Sequence, residues 1–155
     1  MMSNASEIFS VNGLALRGYD LVAFFKLKKA VKGKKQFSCS HMDTEWWFCN
    51  EQHLQLFESD PQSYLPEYGG FCAFGASEGY KAAARMTAFT LFEGKLYFNF
   101  AHYVRERWFE KRHDKILMAN KLWSKVQVTA PIKAHPIPIW WKYQLLKLVG
   151  KDLFE

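Results

Sequence analysis

The stretch that most constrains this chain runs from Tyr64 to Gly75, YLPEYGGFCAFG, where two adjacent glycines stand between aromatic residues and lead into a cysteine. Lacking Cβ atoms, Gly69 and Gly70 can adopt positive φ or let another backbone segment pass close, while Tyr64, Tyr68, Phe71 and Phe74 supply apolar area on either side. A tight turn inside a core is the expected result, and it fixes the surroundings of Cys72.

At 155 residues, 49% apolar and 17% aromatic, the chain has the material for one domain with a substantial core. No stretch reaches the roughly 18 apolar residues that span a bilayer, and no basic region precedes an apolar run of signal-peptide length. As given, the chain reads as soluble and cytoplasmic, or as periplasmic or secreted if a signal peptide has been removed. Three cysteines cannot all pair internally, and a domain of this size needs no staples, so reduced thiols are expected. The formal charge of +6 is uneven: six lysines lie between Lys26 and Lys35 with no acid among them. That run reads as a solvated loop between two strands. No arginine or aromatic interleaves the lysines, so nucleic acid is not an expected partner.

Taken in order, residues 1–13 form a polar arm in which Ile8, Phe9 and Val11 can pair as a short edge strand. Leu21 to Phe25 suits either a buried strand or one helical turn, and local sequence does not separate the two. Gln36–Ser40 and Glu45–Cys49 read as a hairpin, with Asn50 as the N-cap of a helix carrying Leu54 and Phe57 and closed by Asp60-Pro61. Thr87–Phe100 reads as a second hairpin turning at Glu93-Gly94-Lys95. Ala101–Val126 is helical in pattern and divided by EKRHDK, with Trp108 and Trp123 as core residues. Three prolines in TAPIKAHPIP then interrupt regular structure, and the tail resumes as a basic amphipathic helix, IWWKYQLLKLVGK. The expected fold is α+β: a small antiparallel sheet of two hairpins packed against short helices, with a C-terminal amphipathic helix. Residues 14–126 make the domain and residues 127–155 a proline-rich linker and tail. The apolar face of the tail must be covered by the domain, by a second copy in a homo-oligomer, or by peripheral contact with a membrane, with protein preferred over lipid.

Candidate chemistry lies in the cysteines and histidines. Cys39 and His41, two apart on a strand, share a face; Cys49 and His53 lie one helical turn apart; Cys72 is the fifth candidate. Thiolate with imidazole suits zinc or copper rather than magnesium or calcium. The plainer reading is a buried cysteine acting as a small hydrophobe and a surface histidine at a helix start. A thiol-dependent enzyme would use Cys49, its pKa lowered by the helix behind it, with His53 or His41 as base. Phosphate-cradling loops and a HExxH motif are absent from the sequence.

The order GYDLVAFF, FSCSH, WWFCNEQHLQLFESDPQSYLPEYGGFCAFG, GYKA and GKLYFNF resembles a YHS domain protein over roughly residues 14–126, most specifically in the run DPxxYxxxYGGxCAxG. Related YHS modules accompany heavy-metal transport ATPases and some diiron monooxygenases and are regarded as metal-binding. The resemblance therefore implies a metal-binding module. It aligns Cys49 with the cysteine that ends a strand in those modules and His53 with their second cysteine four positions later. His41 falls where relatives often carry a histidine, and Tyr19, Asp20 and Tyr80 match recurrent positions. GYDLV stands where the ATPase modules have a DPVCGM-like start. The expected site is Cys49 and His53, completed by Cys72 or His41, with the double-glycine turn bringing Cys72 back to the strand–helix junction.

Overall fold

The computed structural model describes residues 6–133, and the elements follow the punctuation of the chain. Strands β1 (Ser10–Val11) and β2 (Leu14–Ala15) pair antiparallel around Asn12-Gly13. Helix α1 (Leu21–Lys26) follows, then strands β3 (Lys34–His41) and β4 (Thr44–Phe48) and helix α2 (Glu51–Ser59). The β3–β4 hairpin turns on Met42 and Asp43 with φ of 52° and 55°, the two positive values that a right-twisted two-residue connection demands. After the glycine turn come α3 (Ala73–Glu78), the hairpin β5 (Arg85–Phe92) and β6 (Lys95–Asn99), and helices α4 (His102–Glu110) and α5 (Arg112–Val126). The architecture is α+β.

The segment that sequence left undecided is helical. Asp20 caps it, with Oδ1 accepting from the Ala23 N–H at 3.0 Å, and Leu21 to Phe24 are fully buried. Six residues are too few for a helical period to register in sequence. The lysine run therefore joins a helix to a strand, not two strands, and all six ammonium-bearing residues are exposed.

The two hairpins do not share one antiparallel sheet as expected. β3 and β4 belong to a four-stranded mixed sheet of order β1-β2-β4-β3, with β2 and β4 parallel at Leu14 opposite Glu45, while β5 and β6 stand as a separate antiparallel pair. The inner edge of β4 is taken by the N-terminal segment, whose Gly13 carbonyl accepts from the Glu45 N–H at 2.9 Å. That edge is closed to the second hairpin.

Ile8 and Phe9 are buried in the main core. The Phe9 N–H donates to the Gly69 carbonyl at 2.8 Å, and a Cβ at Gly69, where φ is 64°, would fall 1.8 Å from the Glu7 carbonyl oxygen. The double-glycine turn is thus the close backbone passage that its composition predicts, and the backbone passing it is the N-terminal arm at residues 7–9. The first core cluster is built on Phe24, Trp46, Phe48, Phe57 and Phe98, and the second on Cys72, Phe74, Tyr97 and Trp108. Trp108 is fully buried, and Trp123 packs against both clusters. The tail helix expected beyond Pro136 lies outside the described residues. Among those described, no helix is long and apolar enough to cross a membrane.

Candidate metal centre

Three chain segments meet where β4 ends. Asp20, at the start of α1, has no exposed surface; its Oδ1 caps α1, and its Oδ2 accepts from the Cys49 N–H at 2.9 Å and contacts His53 Nδ1 at 2.6 Å. Asn50 stops the strand and starts α2, its Oδ1 accepting from the His53 N–H at 2.8 Å. Because Cys49 precedes that cap and His53 follows it by one turn, both side chains lie on the side facing Asp20. Cys49 Sγ stands 3.5 Å from His53 Nδ1, and the Asn50 side-chain N–H donates to the same sulfur at 3.5 Å.

Burial pushes the Cys49 thiol up to about 11, and the hydrogen bond and charge of Asp20 push the same way, outweighing the pull of Lys34 and the backbone. At neutral pH the sulfur carries its proton. The histidine geometry also argues against a nucleophilic relay. In such a relay the two ring nitrogens address nucleophile and carboxylate separately, whereas here both partners sit on Nδ1. One nitrogen cannot take a proton from sulfur while donating to the carboxylate.

What the arrangement suits, by the closeness of its three donors, is an ion held among them. Cys49 Sγ, His53 Nδ1 and an Asp20 oxygen lie within 4.8 Å of one another, and no other such trio of His, Cys, Asp or Glu occurs among the described residues. Zinc bond lengths at a tetrahedral angle place sulfur and nitrogen about 3.6 Å apart and nitrogen and oxygen about 3.4 Å apart. The sulfur–nitrogen spacing already matches at 3.5 Å, and the nitrogen–oxygen spacing of 2.6 Å is that of a hydrogen bond. The proton on that bond occupies the place of the ion, and exchange requires the carboxylate and ring to part by about 0.8 Å. A divalent cation with one carboxylate, one thiolate and a neutral imidazole sums to zero charge, which is what a buried site tolerates.

Of the expected ligands, Cys49 and His53 come together and the other two stand elsewhere. Cys72 is fully buried in the second core cluster, its sulfur accepting from the Phe100 N–H at 3.2 Å and lying 3.6 Å from Asn99 Oδ1. The glycine turn delivers it to β6 beside Phe98, not to the β4–α2 junction. His41 ends β3 with its ring edge-on to Phe57 at 5.5 Å. Cys39 packs at the margin of the first core, with burial chiefly raising its thiol to about 11. Asp20, matched to the resemblance but given no role there, is the donor that sequence reasoning missed as a ligand. Its signal was the N-cap position before Leu21, legible only once that run is taken as a helix. Comparison with protein-family models, with curated proteins and with solved structures finds no match in any of the three.

Proposed function

We propose that the protein is a binding module for a transition metal, zinc or copper, held by Cys49, His53 and Asp20. The observation that carries this reading is the convergence of sulfur, nitrogen and carboxylate oxygen within 4.8 Å. The resemblance to YHS modules supports it, since it points to the same strand–helix junction. Cys49 is half-buried while Asp20 and His53 are enclosed, so an ion enters past the sulfur and water completes its coordination on that side. Cys72 and His41 leave the ligand set. Soft sulfur and imidazole favour zinc or copper, and the carboxylate adds charge without excluding either.

The test is metal analysis of protein purified without added metal or a His-tag, followed by zinc titration against a chromophoric chelator. Cys49→Ser and His53→Ala should each weaken zinc by more than the roughly 10- to 100-fold that removal of an outer-shell partner costs. Cys72→Ser, His41→Ala and Cys39→Ser should leave affinity unchanged. At a free zinc concentration a hundred times Kd, the ion should add about 2.7 kcal/mol to stability. Equal zinc affinity in wild type and Cys49→Ser would leave the Asp20–His53 pair as a structural tie between α1 and α2 and nothing more.

A further inference from the structure

A cavity of about 350 Å³ is lined by none of the three donors. Its walls come from the turn after β2, from β5 and its approach, and from the entry to α4. Arg17, Tyr19, Arg85 and Thr87 supply its polar lining and Phe100 its main apolar lining, and among the described residues no carboxylate borders it. Among the described residues neither guanidinium has an ion-pair or hydrogen-bond partner, and that of Arg17 rests over the Phe9 ring at 5.2 Å. On β5, Arg85 and Thr87 are exposed and alternate with buried Met86 and Ala88, so both stand on the outer face of the strand. Lys32 lies over the ring of Tyr19 at 4.9 Å and adds a third positive charge nearby. The turn that presents Arg17 is itself strained: Leu16 and Arg17 hold φ of 51° and 54°, and fully buried Leu16 anchors them there. Backbone of this kind persists where its surroundings over-determine it, as at ligand clamps.

We propose that this cavity binds a small organic oxyanion, a carboxylate or phosphate head on an apolar body of about the size of one aromatic ring. Guanidinium groups are the side chains best suited to grip such a head through paired hydrogen bonds, and two of them in one cavity, with no counter-charge among the described residues, call for an anion. Phe100 takes the body. The volume sits at the lower end of the roughly 300–1,000 Å³ typical of small-molecule sites. The proposal stands apart from the metal reading, because the two share no residue.

The test is a ¹H–¹⁵N NMR titration of the full chain at fixed ionic strength with phenyl phosphate, benzoate, inorganic phosphate and benzyl alcohol. Phenyl phosphate or benzoate should shift the amides of Tyr19, Ala84, Met86 and Ala101 saturably, and the tighter of the two identifies the head. Inorganic phosphate should bind more weakly for want of a body, and benzyl alcohol should not bind. Arg17→Gln and Arg85→Gln should each weaken the better ligand about tenfold or more, with melting temperature unchanged for Arg85→Gln on its exposed strand face. Absence of saturable shifts, shifts confined to Lys26–Lys35, or unchanged affinity in Arg85→Gln would overturn the proposal. Chelating all metal should make no difference.

Discussion

Replacing Asp20 by Asn tests how much of the fold hangs on one carboxylate. The side chain keeps its size, and its carbonyl oxygen can go on capping α1 at the Ala23 N–H. The new NH₂ then stands where Oδ2 meets two groups, the Cys49 N–H at 2.9 Å and His53 Nδ1 at 2.6 Å. His53 can answer by presenting an unprotonated Nδ1, which turns a charge-assisted bond into a neutral one. The Cys49 N–H has no such recourse and loses its acceptor. An unsatisfied buried donor costs about 1–3 kcal/mol and the weakened histidine bond about 1 more, giving roughly 2–4 kcal/mol in total. For a chain of this size that is a fall in Tm of roughly 4–16 °C, at some 2–4 °C per kcal/mol. Circular dichroism melts of metal-free protein with chelator present measure it, and urea unfolding with an unchanged m-value confirms that the native state is the one affected. A double-mutant cycle with His53→Ala should show a coupling of about 0.5–3 kcal/mol, because the two side chains share a bond. A melting temperature within 2 °C of wild type, or strict additivity in the cycle, would refute the reasoning.

Three further outcomes follow from other parts of the molecule. Gly69→Ala should cost clearly more than the roughly 1–2 kcal/mol of a left-handed alanine, because its Cβ would meet the Glu7 carbonyl; Gly94→Ala, with φ of 75° and nothing within 4 Å, should cost only that penalty, and equal urea midpoints for the two would mean the arm gives way freely. Burial, with nearby acidic groups adding to it, pushes the Tyr97 phenol up to about 12 from 10.0 and the Tyr68 phenol further still, so the stability they contribute is fully present below pH 10 and lost as pH rises through the folded-state values; urea midpoints should fall above about pH 10, and less steeply in Tyr97→Phe. With all three thiols held near 11, alkylation of metal-free protein at neutral pH should be slow, and Cys72 should react only on unfolding; rapid, selective labelling of Cys49 would instead favour thiol chemistry.

What sequence made legible is what neighbours in the chain decide between themselves. The hairpin turns at Met42-Asp43 and Glu93-Gly94, the Asn50 cap and the break before α5 each rest on a few adjacent residues. The double glycine announced a close backbone passage but not which backbone would pass. The arm takes that place through Phe9, and so the inference that Cys72 returns to α2 failed although the turn itself is real. The mixed sheet was hidden for the same reason, because two residues of β2 carry no pattern that announces a parallel partner on β4. Asp20 reaches Cys49 across 29 positions and His53 across 33, distances at which only the packed α1 brings the carboxylate to the junction.

That long reach gives the candidate site two ways of being held together. Without an ion, the proton between His53 and Asp20 ties α1 to α2, and the Cys49 thiol stays neutral beside them. With an ion, the same three atoms are tied through it: the Cys49 proton is released, and the ring gives up Nδ1 to the ion while its proton is carried on Nε2. Preorganisation by the hydrogen bond lowers the ordering cost of binding, while the protons to be displaced raise it, so affinity is a difference between two well-made states. Zinc should therefore bind more tightly as pH rises, by about tenfold per pH unit for each proton released. Cys49 contributes one such proton throughout the range below its raised thiol value of about 11. Competition titrations between pH 6 and 8 should give a slope of at least one, and Asp20→Asn, which removes the charge that opposes loss of the thiol proton but also a ligand, should bind zinc more weakly at every pH. A pH-independent affinity would mean the ion does not displace the Cys49 proton, and the sulfur would then be no ligand.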